Sequence, residues 1–465
     1  MIRKTENHRT SAVGSATKKR VAARHGAALG LPTFSTSVFT FNETEQALAD
    51  ALRRFCDREI EPLVPALESG EASPFDLLQR LAETFHLEQL LAPLLRTATR
   101  EAESASTATG AGPAGERSGG ALADPGLAAV FARELARVSP GLCLCATASM
   151  GCGATIAARG DAELVERLAL PVLALRKVGC WALTEPGSGS DAFAMRTRAR
   201  IDGNDVIVSG SKTFISNAPA ADVFLIYARI DTPAGEPHGG REKQRIFPIV
   251  VERGMSGLTT GTAVDKMGMH ASPTGDIFLD EVRVPRNHLL GDPERPARTA
   301  AEDTLASERA AIVAMCAGVI ERCLDDSLAY AMTRVQFDKP IAAFQLIQQK
   351  LARMYVAYEN VRNLMFKLIW LQRHEAGSER EVSAAKWYAT ESATEVALEA
   401  IQLMGGAGYM REHAPERMFR DMKLWTIGGG TSEIQQLTIA KDLLKQHGFF
   451  IDLSGGYRDR RRDGA

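Results

Sequence analysis

Three consecutive glycines, Gly428, Gly429 and Gly430, lie within the segment TIGGGTSEIQ and directly precede Thr431. Glycine forfeits side-chain contacts and loses more conformational entropy on folding than other residues. A folded chain therefore keeps three in a row mainly where the backbone must approach something closely. The segment predicts a site at which backbone groups contact a ligand.

A single glutamate, Glu308, lies in an apolar stripe of the segment 304–324. The stripe repeats at helical spacing and consists of Leu305, Ile312, Cys316, Val319 and Cys323. A buried carboxylate is costly unless it is paired or its pKa shifts upward, and an upward shift suits a base that works near neutral pH. On these residues alone, a glutamate that reaches solvent or pairs with an arginine is the favoured interpretation.

The segment CWALTEPGSGSD, residues 180–191, is a second candidate. Gly187 and Gly189 would let backbone amides approach an acceptor-rich ligand, and Thr184 and Ser190 offer hydroxyl groups. An ordinary turn is the alternative, since such glycine spacings are common. The segment lacks the lysine of a nucleoside-triphosphate loop.

Further candidates follow along the chain. Phe214 could stack on a planar cofactor, although a core aromatic is the default interpretation. Arg334 could pair with a phosphate and Gln345 could donate a hydrogen bond, although both could equally be solvated. Gly405 and Gly406 interrupt a helical pattern, which marks close backbone approach or a helix end.

The elements that must position these residues change in type along the chain. A helical pattern with Asn42 as cap begins the structured part, a β-rich pattern covers 176–292, and helical pattern returns over 293–448. The fold class is therefore mainly α with a central β domain. Successive βαβ units are missing from the pattern, which argues against a doubly wound sheet. The predicted divisions are a basic, disordered tail (1–40), an N-terminal helical domain (41–175) with a low-complexity surface loop (99–122), the β domain (176–292), a helical domain (293–448) and a basic tail (449–465).

Composition excludes several classes. A net charge of −2 over 465 residues gives no bias toward nucleic acid or an anionic membrane. The apolar run at 310–320, identified as the longest, is too short to span a bilayer. Seven cysteines without a CxxC pair indicate reduced thiols and no metal site. The predicted location is the cytoplasm, with the mitochondrial matrix as the alternative if the basic N-terminal tail is a transit peptide.

The motifs, taken together and in order, resemble those of the acyl-CoA dehydrogenase family. They are ALTEPGSGSD, DKMGMHASPTGDIFLDEVRVPRNHLLG, QFDKPIAAFQ, GGAGYMRE and GTSEIQ. The resemblance covers about 43–445. It implies N-terminal helices, a middle β-barrel-like domain, a C-terminal four-helix bundle, and a homotetramer with one FAD per subunit. The implied reaction is α,β-desaturation of an acyl thioester, with hydride transfer from the β-carbon to flavin N5 and electron-transfer flavoprotein as partner.

The resemblance also implies roles for individual residues. Those implied to bind FAD are Trp181, Leu183, Thr184, Gly189, Ser190, Phe214, Ile215, Ser216, Arg334, Phe337, Gln345, Gln402, Gly405, Gly406, Thr431, Ser432 and Glu433. Among these, Arg334, Gln345 and the segment 402–406 would reach the FAD of a neighbouring subunit. Those implied to contact the substrate are Ser190, Arg309, Gly428 and Gly430.

The catalytic base departs from the commonest family pattern. Most members carry a glutamate immediately before the Gly-Thr-Ser motif, where this chain has Gly429. A subset typified by isovaleryl-CoA and long-chain acyl-CoA dehydrogenases takes its base from an earlier helix, just before an arginine. Here that residue is Glu308, followed by Arg309. The resemblance therefore implies Glu308 as the α-proton base, while the Gly429 N–H donates to the thioester carbonyl.

The substrate is predicted in outline. Gly428 stands where many members have a tyrosine, so the pocket is expected to admit a branched or substituted acyl group. Ala306 replaces a frequent aspartate that contacts pantetheine, and His270 replaces a frequent arginine. Acyl-CoA is therefore the first expectation and a carrier-protein thioester the second. A flavin oxidase or N-hydroxylase, or a non-catalytic flavin-binding or DNA-associated relative, are the competing classes.

Overall fold

The computed structural model describes residues 39–109, 124–230, 246–292, 300–374, 376, 378–451 and 457–459. The predicted tail at 1–40 lies almost wholly outside these residues, apart from its last two. From Phe41 onward the chain forms a single unit in which helices precede and follow a β-sheet. The predicted fold class is confirmed, whereas the exact domain boundaries stay predictions.

The N-terminal part is helical. Its helices are α1 (Glu43–Phe55), α2 (Val64–Ser69), α3 (Pro74–Thr84), α4 (Leu87–Thr109), α5 (Pro125–Val138), α6 (Pro140–Arg159), α7 (Ala162–Leu164) and α8 (Leu170–Leu173), with π-helical turns at Cys56–Ile60 and Val165–Ala169. Asn42 caps α1 as expected, because its side chain accepts the N–H of Glu45 and the Glu45 carboxylate accepts the N–H of Asn42.

Helix α4 corrects one prediction. The sequence predicts a surface loop over 99–122, but α4 continues to Thr109. Its last turns, TATREAESASTAT, contain neither glycine nor proline, and their alanine, glutamate and arginine residues favour helix. The first glycine is Gly110, and the rest of the predicted loop, 110–122, lies outside the described residues.

Helix α6 corrects the expectation that 310–320 is the longest apolar run. Within the part of the chain that the structure describes, α6 is long and apolar enough to cross a membrane. However, 67% of that stretch is buried inside the protein. We therefore assign α6 as a core helix, because a single such helix that is mostly buried is typical of a protein interior.

The middle part is a seven-stranded sheet. The strands are β1 (Gly179–Ala182), β2 (Arg198–Asp202), β3 (Asp205–Ser216), β4 (Val223–Ile230), β5 (Ile246–Glu252), β6 (Leu258–Thr260) and β7 (Thr274–Pro285). Their order in the sheet is β1-β4-β2-β3-β7-β6, with β5 also paired to β4. Strands β1 and β2 run parallel to β4, and the other pairs are antiparallel. The predicted Asp-Gly turn joins β2 to β3.

Strand β4 is buried on both faces. Val223, Leu225 and Tyr227 pack against the N-terminal helices, whereas the alternate residues Phe224 and Ile226 pack among the strands on the other side. Period-2 alternation puts successive side chains on opposite faces, so a strand buried on both faces reads as a continuous apolar run. This accounts for the sequence VFLIYARI in β4.

The C-terminal part contains α9 (Ala300–Thr333), α10 (Gln345–Arg373), α11 (Glu379–Met404), α12 (Ala414–Trp425) and α13 (Ser432–Gln446). A short hairpin of β8 (Val335–Gln336) and β9 (Lys339–Pro340) joins α9 to α10. Helix α11 packs against α9, α10, α12 and α13. Within the predicted basic C-terminal tail, β10 (Phe449–Ile451) pairs with β11 (Tyr457–Asp459).

Helix α9 also packs tightly against the N-terminal helix α5. A Cβ at Gly318 of α9 would lie 2.1 Å from the carbonyl oxygen of Arg133 in α5, far inside van der Waals contact. This helix contact therefore requires glycine at 318. It joins the two helical parts of the chain along one core.

We expect Gly318→Ala to destabilise the protein by about 1–3 kcal/mol, because the two helices must separate. The matched control is Gly151→Ala in α6, where a Cβ meets nothing within 4 Å. The control should raise stability by about 0.5–1 kcal/mol, because alanine favours helix over glycine. Urea denaturation followed by circular dichroism measures both, and equal effects would contradict the packing argument.

Candidate active site

The three glycines form the connection between α12 and α13. The N–H of Gly428 donates to the carbonyl of Leu424 at 2.7 Å, which closes the end of α12. Thr431 then caps α13, and its hydroxyl oxygen accepts the N–H of Ile434. Gly429 and Gly430 have φ values of +64° and +90°, a region that side-chain-bearing residues rarely adopt.

Three side chains hold the carbonyl groups of this glycine loop, residues 428–430. Arg309 Nε donates to Gly429 O at 3.1 Å, and Lys386 Nζ donates to Gly430 O at 2.7 Å. Gln435 Nε2 donates to both oxygens at 3.0 Å. Within the described residues, the N–H of Gly429 forms no hydrogen bond. The loop therefore presents a fixed backbone with an available donor.

The carboxyl group of Glu308 lies beside Gly429. A Cβ at position 429 would be 3.8 Å from Glu308 Cδ and 3.9 Å from Oε2. Glu308 Oε2 is buried and has no hydrogen-bond partner in the described part of the chain. The neighbouring Arg309 is directed to Gly429 O and to Glu379 Oε1, at 3.2 Å. Glu308 thus reaches the space next to Gly429.

Burial raises the pKa of Glu308 to about 7, against an ordinary value of 4.5. The nearby charges of Arg309 and Lys386 act in the opposite direction and lower it. The balance leaves a carboxyl group that exchanges its proton near neutral pH. This is the property required of a general base at physiological pH.

A buried charge pair shapes the loop that follows β1. Lys212, which is fully buried, donates to Glu185 Oε1 at 2.8 Å and to the carbonyl of Leu183 at 3.0 Å. The Glu185 carboxylate also accepts the backbone N–H groups of Arg196 and Thr197. These bonds connect both ends of the loop 183–197 to β3.

Two regions of the chain match known domains of one family. Residues 180–282 match the middle domain of acyl-CoA dehydrogenases, and residues 298–444 match their C-terminal domain. A probable acyl-CoA dehydrogenase of Bacillus subtilis (strain 168) is 38% identical over 72% of this chain and 86% of that protein. The chain belongs to the acyl-CoA dehydrogenase family. The predicted family is confirmed, and with it the class of flavin oxidoreductase that uses FAD.

Other relatives cover most of the chain. Benzylmalonyl-CoA dehydrogenase of Aromatoleum aromaticum is 35% identical over 87% of this chain and 99% of that protein. A caffeyl-CoA reductase-Etf complex subunit of Acetobacterium woodii is 35% identical over 63% of this chain and 76% of that protein. Both of these relatives are named for acyl thioesters that carry substituted acyl groups.

Solved structures of the family superpose on this fold. A glutaryl-CoA dehydrogenase of Mycobacterium smegmatis in complex with FADH2 gives a TM-score of 0.73 at 26% identity, covering 87% of this chain and 95% of that one. The prolyl acyl carrier protein oxidase AnaB gives 0.72 at 25% identity, covering 87% of this chain and 100% of that one.

The loop after β1 has features that fit the family's flavin. Gly187 and Gly189 face open space, since a Cβ at either would meet nothing within 4 Å. Trp181 Nε1 is buried and has no hydrogen-bond partner among the described residues. Thr184 and Ser190 lie on the same loop and are partly or fully exposed. Open backbone, a spare donor and hydroxyl groups suit a planar, acceptor-rich cofactor.

The three predicted cofactor residues of β3 differ in their exposure to solvent. The register of β3 against β7 shifts between Lys212 and Ile215, and Phe214 has a φ of +58°. Phe214 is therefore 71% exposed, while Ile215 is buried in the sheet core and Ser216 is partly exposed. Like Ile215, Leu183 is buried, so a contact of either with a cofactor would involve mainly its backbone.

Most of the remaining predicted cofactor residues lie on the surface of the chain. Phe337, at the tip of the β8–β9 hairpin, is 86% exposed. The others that face outward are Arg334, Gln345, Gln402, Gly405 and Gly406. In α13, Ser432 is buried and donates to Glu391 Oε1 at 2.6 Å, while Glu433 is exposed. The structure does not bring the outward-facing set into the Glu308 site, and its cofactor role stays a prediction.

Four residues of this arrangement were missed in the sequence: Glu185, Lys212, Lys386 and Gln435. The sequence pattern could have indicated Lys386, because this residue lies on a helical stripe with the small residues Ala389 and Ala393, both fully buried. A lysine on such a stripe indicates a buried ammonium group with a specific partner. Among the described residues, no cluster suited to a metal ion is found.

The raised pKa of Glu308 makes this residue a cost to the folded state. Between pH 4.5 and about 7 the unfolded chain releases the proton while the folded chain retains it, so stability falls as pH rises. We expect Glu308→Gln to be more stable than the wild type at pH 8 by about 2 kcal/mol and equal to it near pH 4. The value at pH 8 is reduced from the full effect of the pKa shift because Glu308 is partly exposed.

Urea denaturation of the FAD-loaded protein at the two pH values measures this difference. Glu83→Gln, on the exposed end of α3, is the matched control and should show no pH-dependent gain. An equal gain in both variants would contradict the assignment of a strained charge to Glu308.

Proposed function

We propose that this protein catalyses FAD-dependent α,β-desaturation of an acyl thioester, with Glu308 as the α-proton base. The observation that carries the proposal is the buried, unpartnered Oε2 of Glu308 beside Gly429. A polar atom left without a partner inside a protein is costly, and such sites are commonly functional. A substrate with an acidic C–H next to its carbonyl would supply the missing partner.

Two groups of the chain would act on the thioester. The Glu308 carboxylate takes the α-proton, and its pKa of about 7 matches the task at neutral pH. The Gly429 N–H, which is free within the described residues, donates to the thioester carbonyl oxygen as negative charge develops there. FAD, when bound, would supply the hydride acceptor that this reaction needs. The loop after β1, with Trp181 and Ser190, would hold FAD together with Phe214 and Thr431.

The acyl group is proposed to be branched or substituted. Gly428 carries no side chain, and a Cβ there would already lie 3.4 Å from the ring of Trp425. A Cβ at Gly429 would lie 3.0 Å from Ile312 Cδ1, and one at Gly430 would lie 2.7 Å from Gln435 Nε2. The wide pocket is therefore inferred from the side chains that Gly428 and Gly429 lack. The relative that acts on benzylmalonyl-CoA supports a substituted acyl chain.

The carrier of the thioester is proposed to be CoA, with an acyl carrier protein as the second candidate. Ala306 provides no carboxylate where most of the family has one for pantetheine. His270 is engaged by the Lys266 carbonyl and by Glu68. The similarity to a prolyl acyl carrier protein oxidase favours the second candidate specifically. Hydrogen peroxide formation in air would identify an oxidase.

The assembly and location are also proposals. The outward-facing Arg334, Phe337 and Gln345 support a homotetramer in which one chain completes the FAD site of its neighbour. The relative from an Etf complex supports electron-transfer flavoprotein as the electron acceptor. We propose a cytoplasmic location, with the mitochondrial matrix as the alternative, and neither nucleic acid nor a membrane as partner.

We expect Glu308→Gln to retain FAD and to lose turnover by about 100-fold or more, because the general base is removed. Anaerobic bleaching of the flavin by branched and straight acyl thioesters, on CoA and on carrier protein, measures the loss. The exposed Glu83→Gln is the matched control. Near-wild-type bleaching by the Glu308→Gln variant would rule out this base.

Adding Gly429→Glu to the Glu308→Gln variant should restore part of the turnover. The new carboxylate would start beside the place of the old one, since the two positions are 3.8 Å apart from Cβ to Cδ. Rescue should be incomplete, because the φ of +64° strains a side-chain-bearing residue and Ile312 Cδ1 lies 3.0 Å from the new Cβ. Pre-steady-state flavin reduction measures the recovery.

We expect Gly428→Tyr to lower kcat/KM for branched thioesters relative to straight ones by about 10-fold or more, because the ring fills space near the α and β carbons. Gly428→Ala is the control and should change this ratio little. Wild-type activity confined to straight chains would contradict the wide pocket.

A further inference from the structure

Lys386 of α11 is a buried ammonium group that the reaction described above does not use. Its side chain is fully buried, and its Nζ donates to Gly430 O at 2.7 Å. Burial lowers the pKa of Lys386 to about 8. An ammonium group in such a position is costly unless nearby groups compensate its charge. The question is which group does so.

The charged and titratable groups around Lys386 come from three helices. They are Glu308, Arg309 and Cys316 of α9, Glu391 of α11 and Glu433 of α13. Within the described residues none of these carboxylates forms a salt bridge with Lys386. The Glu391 carboxylate accepts the Ser432 hydroxyl, and Glu433 is exposed at the helix surface. Glu308 is thus the buried carboxylate left to balance this charge.

Arg309 is the larger of the two cationic influences that lower the pKa of Glu308, and Lys386 is the second. The Arg309 guanidinium group is shared between Gly429 O and the Glu379 carboxylate, which already balances its charge. Lys386 has a neutral carbonyl as its acceptor, so its charge is not neutralised by its hydrogen bond. Its field therefore acts on Glu308 through surroundings of low polarity, where it is strong.

We propose that Lys386 is a positioning residue for this reaction: its ammonium group anchors the glycine loop and keeps Glu308 ionised near neutral pH. The inference rests on the proposed function of Glu308 as base. The basicity of the site then depends on two buried groups of opposite charge, Glu308 of α9 and Lys386 of α11. The proton remains with the substrate carbon or with Glu308, and Lys386 exchanges none.

The first test follows the Glu308 carboxyl group without any substrate. The infrared band of the protonated carboxyl, isolated as the wild type minus Glu308→Gln difference, is titrated in the FAD-loaded protein. We expect Lys386→Met to move the Glu308 titration upward by about one pH unit or more. At pH values below the titration midpoint, the ionised fraction of Glu308 then falls about tenfold. Lys386→Gln, which keeps a donor but no charge, should show a similar shift.

The second test is the pH profile of flavin reduction by an active thioester. The acidic limb should move upward in both Lys386 variants, with reduction restored at higher pH, since the base itself is intact. Lys350→Met is the matched control: it removes an ammonium group of α10 that pairs with Glu399, and both readouts should stay at their wild-type values.

The outcomes separate the two proposals. An unshifted Glu308 titration in folded Lys386→Met or Lys386→Gln overturns the role of Lys386, whatever the activity. Failure of every thioester to bleach the wild-type flavin overturns the proposed function, while the infrared titration still decides the electrostatic coupling. If both variants fail to fold, Glu308→Gln decides, because electrostatic coupling is reciprocal: the Lys386 pKa, followed by NMR of labelled lysine, should fall in this variant, and an unchanged Lys386 pKa overturns the coupling.

Discussion

The cost of burying charge is the constraint on which the arrangement around the glycine loop depends. Glu308 and Lys386 lie where apolar surroundings penalise each charge separately, and Arg309 lies beside them. Burial favours the neutral carboxyl, and the two cations favour the ionised one. The result is a group that can both lose and accept a proton at neutral pH. A fully solvated glutamate would be a weaker base, and an isolated buried one would stay protonated.

The helical framework holds these charges in place. Helix α9 carries Glu308 and Arg309, α11 carries Lys386, and the glycine loop lies between α12 and α13. Arg309 reaches Gly429 across a sequence separation of 120 residues. Such precision needs rigid neighbours, and α9 gains them by packing on α5 at Gly318 and on α11. Lys212 of β3 forms a buried salt bridge with Glu185, which shapes the loop after β1.

Much of the fold was predictable, because local patterns dictate it. The helical and β-rich periods, the Asn42 cap and the Asp-Gly turn all appear as expected. The prediction of a loop at 99–122 was partly wrong, because a low-complexity segment without glycine or proline still favours helix. Glu308 was singled out by the family resemblance, because glycine stands at 429 where a carboxylate is common; its apolar stripe alone favoured a solvated or arginine-paired glutamate. The substrate space was inferred only from missing side chains.

The sequence by itself determined the family and the order of the elements, and it predicted Glu308 as the candidate base. These follow from spacing along the chain and from motifs in order. Only the tertiary structure decided that Lys386 and Gln435 hold the glycine loop, and that a register shift in β3 turns Phe214 outward. The reason is physical: the pKa and partner of a buried polar group depend on which atoms surround it in space. Those atoms come from helices and strands far apart in the chain.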